Sequence, residues 1–481
     1  MIQHTSVEPV RPDASVPEFA VLGHPNEGKS SVVSTLTEDD NIRVSQVPGE
    51  TTVSRAYTVK IDSREIIRFV DTPGFQAPRQ TLAWFRENAG AGIVDRFLAQ
   101  FKTDPFFADE CELLTPVARG AGIIYVVDGS RPVRDDDLAE MEILRLTGRP
   151  RMAVINSKSL DRDYTDEWKA EFRKHFNVIR VFNSNRADFY ERIRMLESLK
   201  AIDQDWEKGL ESVIRAFKDD WERRNRMACA YITHGIETMV GYVRTGKVTS
   251  RTDPVRLKED LVREYQQEIR NIEKTMFSHI RELFRHKLFD YPLPEYSVLR
   301  HDLFSDRTWE VLGLTRGQLT TAGALVGGTV GAVLDTAAAG LTFGVFTAIG
   351  SALGAGSALM GVKKITQRGG KGLAGDRLRV GPNENIQFMY VLMDRAILYY
   401  THMVRRSHGR RDMPAPAASD KPEKMGVSTG LTPAQQKICA AFFRRARGKA
   451  ALLDKKDSPD FVLLISQLME AAASVDDSPD K

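Results

Sequence analysis

The chain has 481 residues, 42% of them hydrophobic and 28% charged. That length exceeds what one core supports, and the composition excludes a disordered or fibrous protein. Its 68 basic and 65 acidic residues leave a net charge of +3, too balanced to indicate nucleic acid by charge alone.

Residues 1–17 mix charges with prolines and hold no apolar run. They read as a flexible N-terminus without a secretory signal, and a cytoplasmic location is expected. Cys111, Cys229 and Cys439 lie far apart and outside any CxxC pattern, so they read as buried or free thiols and not as a metal site. From residue 18 to 205, apolar runs beginning at Phe19, Ile66, Ile123, Met152 and Val178 alternate with amphipathic stretches. This pattern predicts an α/β domain with a mostly parallel sheet and helices on both faces. Residues 51–61 and 65–70, about a turn at 62–64, predict an adjacent antiparallel pair.

Gly23-His24-Pro25-Asn26-Glu27-Gly28-Lys29-Ser30 follows the first predicted strand and opens a helix, which is the context that gives G-x-x-x-x-G-K-[ST] its meaning. In such a P-loop the backbone across Gly23, Asn26, Glu27, Gly28 and Ser31 faces phosphate oxygens at a helix N-terminus. Lys29 reaches the β and γ phosphates, and Ser30 ligates Mg²⁺. Asp71-Thr72-Pro73-Gly74 closes the strand that starts at Ile66. Asp71 is placed to hold Mg²⁺ through water, and Gly74 to sense the γ-phosphate. Between these motifs Thr52, with Thr51 as the alternative, offers a hydroxyl to the metal. The 47 residues between Gly74 and Gly122, amphipathic around Leu82 to Phe101, read either as the transmitter of nucleotide state or as a helical insertion without that role.

These residues resemble the translation-factor-related GTPases, and within them the Era and TrmE group. The likeness lies in the P-loop phrase with Asn26, the Thr-Thr before a strand, Asp-Thr-Pro-Gly, and Tyr125-Val-Val-Asp128-Gly-Ser130. It covers residues 18–205. The resemblance implies a GTPase that binds GTP with Mg²⁺. It also implies that Phe75 stands where Ras-like proteins carry a water-orienting glutamine, and that Asn26 helps hold a K⁺ ion beside the phosphates, the task of an arginine finger elsewhere.

The base-reading motif departs from the family's Asn-Lys-x-Asp, because this chain has Asn156-Ser157-Lys158-Ser159. Asn156 and Lys158 remain candidate nucleotide contacts. Ser159 cannot accept guanine's two N–H groups bidentately as an aspartate does, so Asp161 or Asp163 is a candidate substitute. Ser184, in Asn183-Ser184-Asn185, occupies the place of the family's base-backing loop.

Beyond residue 205 helical periodicity takes over. A helical domain is expected over 206–312, broken near 247–254, and Pro292 and Pro294 end its second long helical stretch. A Gly/Ala-rich apolar hairpin follows over 313–368. Residues 317–362 carry one charge, Asp335, and spacing-four glycines such as Gly323, Gly327 and Gly331. Basic residues flank them at Arg316 and at Lys363, Lys364 and Arg368. One reading is a glycine-zipper hairpin inserted in, or attached to, the inner face of the cytoplasmic membrane; the other is a buried soluble hairpin or self-association module. Residues 369–407 read as a connector and an amphipathic helix from Phe388 to Val404, 408–431 as a disordered linker, and 432–481 as a small helical tail. Basic pairs such as Arg405-Arg406 and Arg444-Arg445 are compatible with RNA but read as solvated faces. The C-terminal half is similar to that of a bacterial family of Era-like GTPases with a long C-terminal region. The function expected is a Mg²⁺-dependent, K⁺-stimulated GTPase coupling nucleotide state to that half. The alternatives are a nucleotide-regulated module recruiting a protein partner or RNA, and a dynamin-like membrane remodeller.

Overall fold

A computed structural model describes residues 16–37, 53–61, 63–156, 163–183, 189–249, 253–284, 297–315, 318–319, 322, 363–365, 377–404, 426–448 and 458–474. The chain divides into two compact units, with the division at Glu222/Arg223.

The first unit is built on a six-stranded sheet in the order β2-β3-β1-β4-β5-β6. Its strands are β1 (Glu18–Leu22), β2 (Arg55–Ile61), β3 (Arg64–Asp71), β4 (Gly122–Asp128), β5 (Arg151–Asn156) and β6 (Val178–Phe182). β1 runs parallel to β3 and β4, β4 to β5, and β5 to β6, while β2 pairs antiparallel with β3. The continuous apolar runs have the reason expected of them. β1 and β4 are buried along nearly their whole length, as strands covered on both faces must be.

The helices of this unit are α1 (Lys29–Thr37), α2 (Pro78–Glu87), α3 (Ile93–Phe101), α4 (Ala108–Ala118), α5 (Asp135–Leu146), α6 (Thr165–Phe172) and α7 (Phe189–Lys200). The amphipathic stretch from Leu82 to Phe101 falls on two helices. Gly90 and Gly92 break it with φ of 135° and 68°, a region open to glycine. An aromatic cluster of Trp84, Phe85, Phe97, Phe101 and Phe107 joins α2, α3 and the start of α4. At the far end of the unit, Trp206 packs edge-on against Phe19 of β1, with ring centroids 4.9 Å apart. Helix α8 (Glu207–Gly241) begins directly after it.

In the second unit α9 (Pro254–Leu283) starts with Asp253 accepting a hydrogen bond from Val255 N–H, followed by proline in the first turn. Short helix α10 is Asp306–Val311. Sequence periodicity missed a three-stranded antiparallel sheet of β7 (Arg244–Lys247), β8 (Lys363–Ile365) and β9 (Arg377–Val380), in the order β7-β9-β8. The helix expected from Phe388 to Val404 is α11 (Ile386–Val404), and it is buried along nearly its entire length instead of being amphipathic. Its two charged residues, Asp394 and Arg395, find partners inside. Arg395 makes a two-pronged ion pair with Glu273 at 2.6 and 3.0 Å, and Asp394 accepts from Gly313 N–H and from Ser428 N–H and Oγ. Helices α12 (Pro433–Gly448) and α13 (Pro459–Ser474) follow, with Phe442 stacked on Phe461 at 3.7 Å. All three cysteines are buried and free.

Nearly all of the segment expected to form a glycine-zipper hairpin, 317–362, lies outside the described residues, as do 1–15 and most of the expected linker at 408–431. Among the described residues no helix is long and apolar enough to cross a membrane.

Candidate nucleotide site

The loop from Gly23 to Gly28 connects β1 to α1 at the carboxyl end of the parallel strands, where ligands bind in open α/β sheets. Its path depends on glycine. Gly23 has φ of 144°, and a Cβ there would lie 2.2 Å from the carbonyl oxygen of Val126. Asn26 takes the left-handed conformation, φ 69°, one of the few side chains that does so readily. Lys29 Nζ donates to the carbonyls of Gly23 at 3.1 Å and His24 at 2.9 Å, so its ammonium lies along the loop.

Ser30 Oγ donates to Asp71 Oδ2 at 2.6 Å. Asp71 is 4% exposed, and its Oδ1 has no hydrogen-bond partner among the described residues. Burial raises its pKa against the opposing pull of Ser30, Lys29 and Arg55. A hydroxyl and a buried carboxylate oxygen side by side are hard ligands of the kind Mg²⁺ uses together with water and phosphate, so the residues present fit that ion. Gly74 lies against the loop itself, because a Cβ there would stand 2.5 Å from the Pro25 ring. Phe75 is fully buried in the apolar core, which removes it from any contact with an attacking water. Thr51, Thr52, Lys158, Ser159, Asp161 and Ser184 lie outside the described residues.

Two buried networks tie the loop to later strands, and sequence reading missed both. Glu27 accepts from the N–H of Asp128 and from Arg131 Nε, the latter at 2.7 Å. Arg131 in turn grips Asp137 with two bonds of 2.7 Å and lies over the Trp168 ring. Asn156 Nδ2 donates to Glu27 O at 3.1 Å, so this asparagine braces the P-loop from the end of β5. On the other side His24 Nδ1 pairs with Glu140 Oε1 at 2.9 Å, and Tyr125 OH donates to Glu140 Oε2 at 2.9 Å. The partners of His24 and Glu27 lie 101 to 129 residues further along the chain, where no local pattern reveals them. Asp163 accepts from Thr165 N–H at 2.8 Å at the start of α6, so its carboxylate is engaged in the turn that opens that helix.

A family model described as "Domain of unknown function (DUF3482)" matches residues 169–462, more than half of the chain. This chain belongs to the DUF3482 family. Ahead of that region the DUF3482 chain carries a P-loop GTPase domain, matched over residues 18–157 by a model described as "50S ribosome-binding GTPase". Over 169 residues it is 27% identical to a probable GTP-binding protein EngB of Lactobacillus delbrueckii subsp. bulgaricus, which is 35% of this chain and 75% of that protein. It is also 27% identical over 175 residues to GTPase Der of Paraburkholderia phymatum, 36% of this chain but 30% of that one. A crystal structure of Era from Aquifex aeolicus bound to GDP and AlF4⁻ aligns over 56% of this chain and 89% of its own, at 14% identity and a TM-score of 0.25.

Proposed function

We propose that this chain is a Mg²⁺-dependent GTPase, stimulated by K⁺, whose nucleotide state is read by its helical C-terminal half. The observation that carries the reading is the Ser30 to Asp71 contact of 2.6 Å, set beside a P-loop whose lysine lies against its carbonyls. Lys29 and the loop N–H groups from Asn26 to Ser31 hold the triphosphate, and Gly74 faces its γ end across Pro25. Ser30 and Asp71 hold the divalent ion, with Thr52 as the third protein group from its place in the sequence. When bound, that ion neutralises charge on the β and γ phosphates.

In the reaction a water oxygen bonds to the γ-phosphorus, and the bond from that phosphorus to the β–γ bridging oxygen breaks. The products are GDP, inorganic phosphate and a proton. Phe75 is buried, so rate acceleration comes from positive charge around the phosphates, with Asn26 holding K⁺ as its added source. Guanine is selected through Asn156, Lys158 and Ser184, with Asp161 or Asp163 standing in for the aspartate that Ser159 replaces. The test is hydrolysis of GTP and ATP with Mg²⁺, in K⁺ and in Na⁺. GTP-selective, K⁺-stimulated turnover supports the reading, and equal turnover of ATP removes the guanine assignment.

Membrane contact through 317–362 belongs to the same proposal. It is supported by a 46-residue run with Asp335 as its sole charge and by the basic residues at both ends. Sedimentation of the full chain with liposomes tests it, and protein that stays in the supernatant with either nucleotide rejects it.

A further inference from the structure

Helix α4 touches both the entry to β2 and the loop that follows Gly74. Glu112 Oε1 accepts from Ser54 N–H at 2.8 Å, and Ser54 Oγ donates to Glu112 O at 3.1 Å. Ser54 stands two residues after Thr52. Two positions earlier on the helix, Glu110 Oε1 accepts from the N–H groups of Gln76 at 2.8 Å and Ala77 at 2.5 Å, directly after Asp71-Thr72-Pro73-Gly74. Residues two apart leave a helix at angles roughly 200° apart. One helix therefore reaches the two loops from opposite sides. Its mounting is firm, because Cys111, Leu113, Leu114 and Val117 are buried in the core and Phe107 at its start packs on Phe101 at 4.5 Å. Glu110 is fully buried and spends one oxygen on two backbone donors.

We propose that Glu110 and Glu112 are positioning residues, which fix Ser54, at the entry to β2, and the loop after Gly74 to one rigid helix, so that both keep a set position beside Asp71. The helical insertion between β3 and β4 is then part of the switching apparatus. The proposal rests on the GTPase reading above. A carboxylate accepting backbone N–H groups makes a strong, directional tie. Losing it misplaces groups by a fraction of an ångström, which costs rate more than affinity.

Glu112 is half-buried and makes the cleaner variant. Glu112→Ala should lower kcat for GTP about 10-fold while GDP affinity stays within about 2-fold. Glu112→Gln, whose amide oxygen still accepts the Ser54 N–H, should recover most of the rate. Glu110→Gln should behave like Glu112→Gln. Hydrogen exchange on nucleotide-free protein reads the tie without turnover: Glu112→Ala should speed exchange at Ser54. Wild-type kcat in Glu112→Ala, a parallel loss of GDP affinity and melting temperature that Glu112→Gln does not restore, or unchanged exchange at Ser54 would each overturn the proposal. Wild-type protein without GTP turnover would instead reject the GTPase reading, and exchange at Ser54 would still decide whether the tie exists.

Discussion

Ser30 Oγ lies 2.6 Å from Asp71 Oδ2, joining the first turn of α1 to the last residue of β3 in a pocket where Asp71 is 4% exposed. Asp71→Ala should keep GDP binding but lower Mg²⁺-dependent GTP hydrolysis by at least about 100-fold, the scale of losing one preorganised electrostatic group. Steady-state phosphate release checks it. A variant that turns over like wild type would make Asp71 a structural residue only.

Arg131 is the hub of a buried triad with Glu27 and Asp137; its side chain is 14% exposed and theirs are 4% and 2%. Replacing it by Met would leave two buried carboxylates without their counter-charge, at a cost of about 3–5 kcal/mol. Chemical denaturation of wild type and Arg131→Met measures the difference. A loss under about 1 kcal/mol would mean that water reaches these carboxylates and screens them.

The pair of His24 and Glu140 makes stability depend on pH. Burial pushes Glu140 from 4.5 up to about 7, against the hydrogen bond from His24. The hydrogen bond to Glu140 raises His24 above 6.5. Both groups bind protons more tightly in the folded chain, so stability present at low pH is lost as pH rises. For Glu140 that window runs from about 4.5 to about 7, and for His24 it begins near 6.5. The slope is at most about 1.4 kcal/mol per pH unit for each proton. Glu140→Gln keeps a neutral partner for Tyr125 and His24 and should flatten the wild-type slope across this window. Parallel pH profiles for the two proteins would refute the coupling.

If Asn26 helps hold K⁺, hydrolysis should be roughly 10-fold or more faster in K⁺ than in Na⁺, as expected for added charge at the transferring phosphate. Asn26→Ala should abolish the difference while leaving GDP affinity near wild type. Equal wild-type rates in the two salts would remove the cation from the mechanism.

The P-loop and the parallel sheet were legible because their signals are local: an apolar run, a glycine pattern and a helix start within about 20 residues. The antiparallel pair was legible from its turn, where Ser63 takes φ 66°. What escaped has physical reasons. Strands β7, β8 and β9 are three or four residues long and rich in Lys and Arg, too short for the alternation in Arg377-Leu378-Arg379-Val380 to stand out, and two of them lie in what reads from sequence as a basic flank and a connector. In α11, Gln387, Asp394 and Arg395 look like a polar face, yet each is bonded inside the unit to partners at least 34 residues away. The same separation hid Glu110, Glu112, Arg131 and Glu140, whose importance depends on which loops the fold brings beside them.

The proposed function requires that this P-loop bind and cleave GTP. The most direct measurement is titration and single-turnover hydrolysis of GTP and ATP with Mg²⁺, on the wild-type chain and on Lys29→Ala. Wild type should bind and turn over GTP selectively, and Lys29→Ala should lose triphosphate affinity by about 100-fold or more, roughly 2.7 kcal/mol. Wild-type affinity in Lys29→Ala, or no binding of either triphosphate by the wild-type chain, would contradict it.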